Sequence, residues 1–209
     1  MERLGGGERA GRELTAPQFI DRLAAAFATR DAALAERDPP FSEAAVALTL
    51  VPRGDDLLLL LMQRATNAAD PWSGQVSLPG GRFEPADDSL LSTAIRETHE
   101  ETAVDLTSAR VLGVLDELRP RTPTLPPVIV RPFVLTIPSV PRLTPSSEVA
   151  ELFWTPLGTL FDPRSAGRRE VTARGRRFTV DAIDVDGRVI WGMTERILRS
   201  FEPIWSAAK

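Results

Sequence analysis

Hydrophobic and polar positions alternate between two rhythms along this chain. Phe19, Leu23, Ala24 and Phe27 recur at helical spacing, which predicts a helix over Pro17 to Arg37, stopped by Asp38-Pro39-Pro40. Two strand-like runs follow, Ala44 to Pro52 and Leu57 to Gln63, and Arg53-Gly54-Asp55-Asp56 between them is a hairpin signal. A short strand-like segment, Gln75 to Leu78, runs into Pro79-Gly80-Gly81, and a helix is expected to start near Asp87-Asp88-Ser89. Its apolar face would be Leu91, Ala94, Ile95, Thr98 and Thr102. Arg110 to Leu118, Val128 to Ile137 and Leu152-Phe153-Trp154 read as further strands. Phe178 to Ile183 and Arg188 to Trp191 pair across a tight Asp186-Gly187 turn, and a terminal helix follows.

The connections carry their own signals. The stretch to about Ala16, with Gly5-Gly6-Gly7, reads as mobile. The prolines between Pro120 and Pro127 stiffen a loop, either one wall of a substrate cleft or a rigid connection. Pro163 to Arg177, with Arg168, Arg169, Arg174, Arg176 and Arg177, reads as a solvated loop leading into a hairpin, or as an electropositive rim for an anionic substrate.

Composition narrows the classes. With 209 residues, 43% of them hydrophobic, the chain can bury one good core, so residues 1–40 are read as an extension with one helix and 41–209 as a single domain. A net charge of -4 argues against a general nucleic-acid binder. Without cysteine there are no disulfides or thiolate metal sites, which is compatible with a reducing cytoplasm. The longest apolar run, Leu57 to Met62, is too short to span a bilayer, and no secretion signal is expected.

The candidate chemistry lies in Arg96-Glu97-Thr98-His99-Glu100-Glu101. On a helix, Glu97, Glu100 and Glu101 fall on one side, where like charges repel and the C-terminal dipole disfavours anions. Lys209 is the only lysine, so a hard divalent cation with oxygen ligands is the natural neutraliser. The plain alternative is a solvated acidic face. The strand and glycine turn upstream tip the balance toward a site, since a bare glycine backbone can approach a ligand closely.

Strand, glycine turn, loop and acidic helix together resemble the Nudix box: Gly, five residues, Glu, seven residues, then Arg-Glu-apolar-X-Glu-Glu-X-Gly-apolar. Counting back from Arg96, the upstream acidic position falls on Asp88, and Gly81 sits one residue too far away. Thr98 replaces an aliphatic residue and Ala103 the terminal glycine. The resemblance implies an α/β/α sandwich with a mixed sheet, and Mg2+ or Mn2+ held by Glu97, Glu101, Glu100 and the Gly81 carbonyl. Arg96 would orient these acids, and Glu148, with Glu151 as the alternative, would supply a further carboxylate from an opposite loop. Either Glu100 or Glu148 would take the proton of the attacking water.

Gln63-Arg64-Ala65, Gly74 to Gly81 and Ile190 to Leu198 are similar to segments of the coenzyme A diphosphatases within that superfamily. The implied reaction is hydrolysis of a nucleoside diphosphate linked to X, with Arg64, Gly80 and Trp72 on the substrate side and coenzyme A the substrate these segments suggest, giving adenosine 3',5'-bisphosphate and 4'-phosphopantetheine. That family usually carries a basic residue within the interval Thr66 to Ser73, and here there is none. ADP-ribose, a dinucleotide or a nucleoside triphosphate therefore stay open as substrates, and so does a nucleotide-sensing module without catalysis. Trp72 stacks on an adenine or packs in the core; His99 reads as an exposed spacer. Dimers are common among such relatives, which makes a homodimer the expectation; neither nucleic acid nor a membrane is expected as a partner.

Overall fold

The computed structural model describes residues 15–120, 125–173 and 175–209. Expectations for residues 1–14, for 121–124 of the proline-rich stretch and for Arg174 lie outside them.

The run Leu57 to Met62 is apolar throughout because both of its faces are buried. It belongs to β2 (Asp56–Arg64), which pairs antiparallel with β1 (Ser42–Arg53) across the Gly54-Asp55 turn, with Arg53 opposite Asp56. Leu57, Leu59 and Leu61 enter one core, while Leu58 and Leu60 enter the other. Likewise Leu48 and Leu50 of β1 face the first core, and Ala47 and Val51 the second. A strand covered on both sides reads as a continuous hydrophobic run.

The main sheet is mixed. Its path runs β3 (Val76–Ser77), β2, β1, β6 (Val128–Thr136), β5 (Arg110–Val114); β4 (Gly80–Arg82) pairs with β1, and β7 (Val149–Pro156) with β2. Only β1 and β6 run parallel. One face is covered by α1 (Ala16–Ala28), the short α3 (Leu157–Leu160) and α4 (Met193–Ala208), through Phe19, Leu23, Leu160, Phe201 and Trp205. The other is covered by α2 (Leu90–Thr102), through Ala94, Leu91 and Ile95. The architecture is the α/β/α sandwich expected, with the N-terminal helix in place. A second antiparallel sheet joins β8 (Ala166–Ala173), β9 (Arg176–Val185) and β10 (Arg188–Trp191). Among the described residues no helix is long and apolar enough to cross a membrane.

Three expectations are corrected. The first helix ends at Ala28 rather than Arg37, because acids some eighty positions away capture the following backbone. Asp116 accepts from the Ala33 N–H at 2.7 Å and pairs with Arg30, while Glu117 accepts from the Ala35 N–H at 2.9 Å. Arg37 and Arg131 close on the same Glu117 carboxylate, whose side chain is fully buried. The strand expected to reach Leu118 therefore stops at Val114, with one isolated bridge from Leu118 to Val130. Finally, much of the arginine-rich segment is strand, not loop. Arg168 and Arg169 lie on β8 opposite Asp181 and Val180; Arg169 pairs with Asp184 at 3.0 Å and Arg177 with Glu170 at 3.1 Å.

Candidate active site

Gly80 and Gly81 set the geometry. They lie on β4 opposite Val46 and Ala45 of β1. Gly80 has a φ of 147°, and a Cβ there would overlap the Ala45 carbonyl and Val46. A Cβ on Gly81 would fall on the Glu97 carboxylate. Both backbones are thus pressed between β1 and α2, a position only glycine fits.

α2 is started by a reciprocal cap. The Ser89 hydroxyl accepts from the Ser92 N–H at 3.2 Å, and the Ser92 hydroxyl accepts from the Ser89 N–H at 2.8 Å. The helix ends at Ala103, which takes the left-handed conformation (φ 61°) that glycine usually supplies. That departure from the motif leaves the helix end intact. Beyond it, the Thr144 and Ser146 N–H groups donate to the carbonyls of Thr102 and Glu101 at 3.0 and 3.1 Å. Those bonds dock the loop that carries Glu148 against the end of α2.

The three carboxylates of α2 separate by environment. Glu101 is 5% exposed; it accepts from the Gly80 N–H at 2.9 Å and lies 3.7 Å from the Arg64 guanidinium. Burial pushes its carboxyl up to about 8, against the Gly80 hydrogen bond and the Arg64 charge. Burial also raises Glu97, although Arg96 donates to it at 3.1 Å. Glu100 is exposed and bound by Arg96 at 3.2 Å. Some of the neutralisation expected from a cation alone is therefore supplied by Arg96 and Arg64.

Arg96 has a second anchor that the motif count misplaced. Its Nε and Nη2 donate to Asp87 at 2.9 and 3.0 Å, and Nη2 donates to the Arg82 carbonyl at 3.1 Å. Asp87 also accepts from the Thr93 hydroxyl and the Glu84 N–H, and the Arg96 guanidinium holds its carboxyl well below the usual range. Asp88 is exposed. Counting forward from Gly81 gives five residues and then Asp87, so the extra residue lies between Asp87 and Arg96 rather than before the acid.

These groups border one cleft of about 710 Å³. Glu97, Glu100 and Glu101 line it from α2 together with Arg96, and Gly80 and Gly81 from β4. Arg64, Trp72 and Glu148 border it as well. Arg64 donates to Asp70 at 2.7 Å, and Asp70 accepts the Trp72 N–H at 2.9 Å, which fixes that rim. The side chain of Trp72 is half-buried against the first core. Glu151 instead pairs with Arg188 and does not border the cleft. His99 is exposed, and none of Arg168, Arg169, Arg176 and Arg177 lines the cleft. The described prolines of that stretch, Pro120, Pro126 and Pro127, do not line it either. Sequence reasoning missed Asp87, and also the α4 residues Met193, Thr194 and Ile197, which line the cleft.

The donors fit a hard divalent ion in type. Among the described residues no three acidic or imidazole side chains are gathered tightly around one point, since Glu100 turns to Arg96. What remains is Glu97 and Glu101 with the adjoining Gly81 backbone, an all-oxygen set. A small hard cation that keeps several waters needs only one or two carboxylates from the protein.

The NUDIX domain profile matches residues 40–175. An uncharacterised Nudix hydrolase, NudL, of Yersinia pestis (strain Pestoides F) is 32% identical over 157 residues, 75% of this chain and 76% of its own length. NudL of Yersinia pseudotuberculosis (serotype O:1b) matches to the same extent. The crystal structure of a MutT/nudix family protein from Enterococcus faecalis superposes with a TM-score of 0.54 at 19% identity, covering 97% of this chain and 76% of that one, a likeness of fold. The family generally uses divalent metals such as Mg2+ or Mn2+. Profile, relatives and fold agree, and the chain belongs to the Nudix hydrolase family.

Proposed function

We propose that this Nudix hydrolase is a coenzyme A diphosphatase: with Mg2+ or Mn2+ it cleaves the phosphoanhydride of coenzyme A or its derivatives by adding water, giving adenosine 3',5'-bisphosphate and 4'-phosphopantetheine. The observation that carries the hydrolytic part is the pair of a half-buried Glu97 and a buried Glu101, carboxylates set against the Gly80-Gly81 backbone at the edge of a cleft. Coenzyme A as substrate is supported by the Gln63-Arg64-Ala65, Gly74 to Gly81 and Ile190 to Leu198 segments, since Arg64, Gly80 and residues of α4 border that cleft.

Glu97, Glu101 and the Gly81 carbonyl would hold the ion, with Glu100 beside them. When bound, a divalent cation supplies positive charge for phosphate oxygens and acidity for water. Arg96 acts as a positioning residue: braced by Asp87, it fixes Glu97 and Glu100. Gly80 donates to one carboxylate oxygen of Glu101, while the other faces the Arg64 guanidinium at 3.7 Å. Glu148 is the preferred acceptor of the proton of the attacking water, because the Glu100 carboxylate is already engaged by Arg96. Arg64 and Trp72 line the substrate side. Residues 41–209 form the hydrolase domain in this reading, with 1–40 as its extension; the enzyme acts in the cytoplasm as a homodimer.

Another NDP-X substrate is the second reading, favoured by the interval Thr66 to Ser73, which contains no basic residue. The test is hydrolysis across coenzyme A, ADP-ribose, NADH, diadenosine polyphosphates and nucleoside triphosphates, with Mg2+ and with Mn2+. Preference for coenzyme A, abolished by Glu101→Gln and strongly reduced by Glu148→Gln, is the expected result. Turnover of another substrate alone would overturn the coenzyme A assignment, and nucleotide binding without turnover would make the protein a sensor.

A further inference from the structure

α4 starts without a cap. Its N-cap is Gly192, which has no side-chain oxygen to offer, and no side chain caps the turn. The N–H groups of Met193, Thr194 and Glu195 find no acceptor among the described residues, and the first intrahelical bond runs from Arg196 N–H to the Gly192 carbonyl. A Cβ on Gly192 would meet nothing within 4 Å.

A second observation points to a ligand. Thr194 is 8% exposed and lines the cleft, yet its hydroxyl has no hydrogen-bond partner among the described residues. The hydroxyl is not sealed from solvent, so it is available to donate to a ligand in the cleft. Val128, Val130, Met193 and Ile197 give this cleft apolar lining as well. Glu195 shares the first turn, but its carboxylate is turned to Arg199 at 3.2 Å.

We propose that the first turn of α4, through the Thr194 hydroxyl and the free N–H groups beside it, is a phosphate-binding subsite of the cleft, opposite in character to the acidic α2 wall. The assignment rests on the hydrolase reading above for its substrate. Two phosphates share this chemistry: the 3'-phosphate of the nucleoside and a phosphate of the anhydride. A helix N-terminus and a hydroxyl suit either one.

Thr194→Val keeps the shape and removes the donor; Thr194→Ser keeps the donor. The assay compares coenzyme A, 3'-dephospho-coenzyme A and ADP-ribose, and calorimetry follows adenosine 3',5'-bisphosphate against adenosine. Thr194→Val should raise KM about tenfold with kcat little changed, and Thr194→Ser should restore it. A loss confined to coenzyme A assigns the subsite to the 3'-phosphate; an equal loss on all three assigns it to the anhydride. If the wild type hydrolyses none of them, the coenzyme A reading fails and calorimetry alone decides. There the subsite requires weaker bisphosphate binding in Thr194→Val and unchanged adenosine binding. Unchanged constants throughout, no bisphosphate binding by the wild type, or equal damage from Ser and Val would overturn it.

Discussion

Replacing Asp87 by alanine separates the brace seen in the structure from the position reached by counting back from Arg96. Asp87 accepts four hydrogen bonds, two from Arg96, one from Thr93 and one from the Glu84 backbone, with its side chain 4% exposed. Breaking a buried ion pair costs about 3–5 kcal/mol when one charge is left without compensation. Arg96 would keep Glu97, Glu100 and the Arg82 carbonyl, and its side chain is 26% exposed, so water can reach it. The expected loss is therefore smaller, about 2 kcal/mol, or roughly 4–8 °C in Tm for a chain of this size. Because Arg96 also orients Glu97 and Glu100, metal affinity or turnover should fall about 10- to 100-fold. Exposed Asp88, by contrast, should tolerate alanine within about 0.5 kcal/mol and leave the Mg2+ dependence unchanged. Urea unfolding and a Mg2+ titration of hydrolysis on both variants decide it. Equal effects from the two, or a larger one from Asp88→Ala, would refute the placement of the brace.

Two predictions concern stability away from the cleft. Ala103→Gly relieves a left-handed residue that costs an L side chain about 1–2 kcal/mol; part of that returns as chain entropy, so Tm should rise by a few degrees in a thermal melt, and an unchanged or lower Tm would count against strain there. Burial would raise the carboxyl of Glu117, but hydrogen bonds from Arg37, the Ala35 N–H and Arg131 hold it at about 2, below its ordinary 4.5. Its folded pKa is depressed, so its contribution is present above pH 4.5 and lost as pH falls toward 2. Glu117→Gln should cost about 3 kcal/mol at pH 7 and flatten the acid limb of the stability curve, as measured by urea unfolding at each pH.

What the sequence disclosed depended on how local the cause was. The β1–β2 hairpin was legible because Gly54-Asp55 and the leucine run lie within a dozen residues, and burial on both faces leaves a plain mark. The acidic helix was legible because Glu97 and Glu101 are one turn apart on the same element. The end of α1 was hidden, since Asp116 and Glu117 override the helical preference of residues 29–37 from far along the chain. β8 was hidden because its arginines become strand by pairing with β9. Asp87 could have been found by counting from Gly81 as well as from Arg96. Thr194 lay within the resembling segment Ile190 to Leu198, but nothing local singled it out, because its place in the cleft depends on where α4 packs.

The burial of Glu101 sets function against stability, and that opposition can be measured. Its folded pKa of about 8 lies above the ordinary 4.5, so the folded protein without metal holds this proton more tightly than the unfolded chain. The penalty is therefore absent below about pH 4.5, grows as pH rises, and is complete above about pH 8. At about 1.4 kcal/mol per pH unit this amounts to something on the order of 3–5 kcal/mol at pH 9. Glu101→Gln keeps the shape and an oxygen for the Gly80 N–H while removing the charge. In chelator, the variant should be the more stable protein at pH 9, with the difference shrinking toward pH 5. Added Mg2+ should then stabilise the wild type and leave Glu101→Gln nearly unmoved if, as proposed, the carboxylate that burdens the metal-free protein is the one that binds the ion. A variant less stable than wild type in chelator at pH 9 would mean that Glu101 serves the fold, and the case for it as a metal ligand would lose its energetic argument.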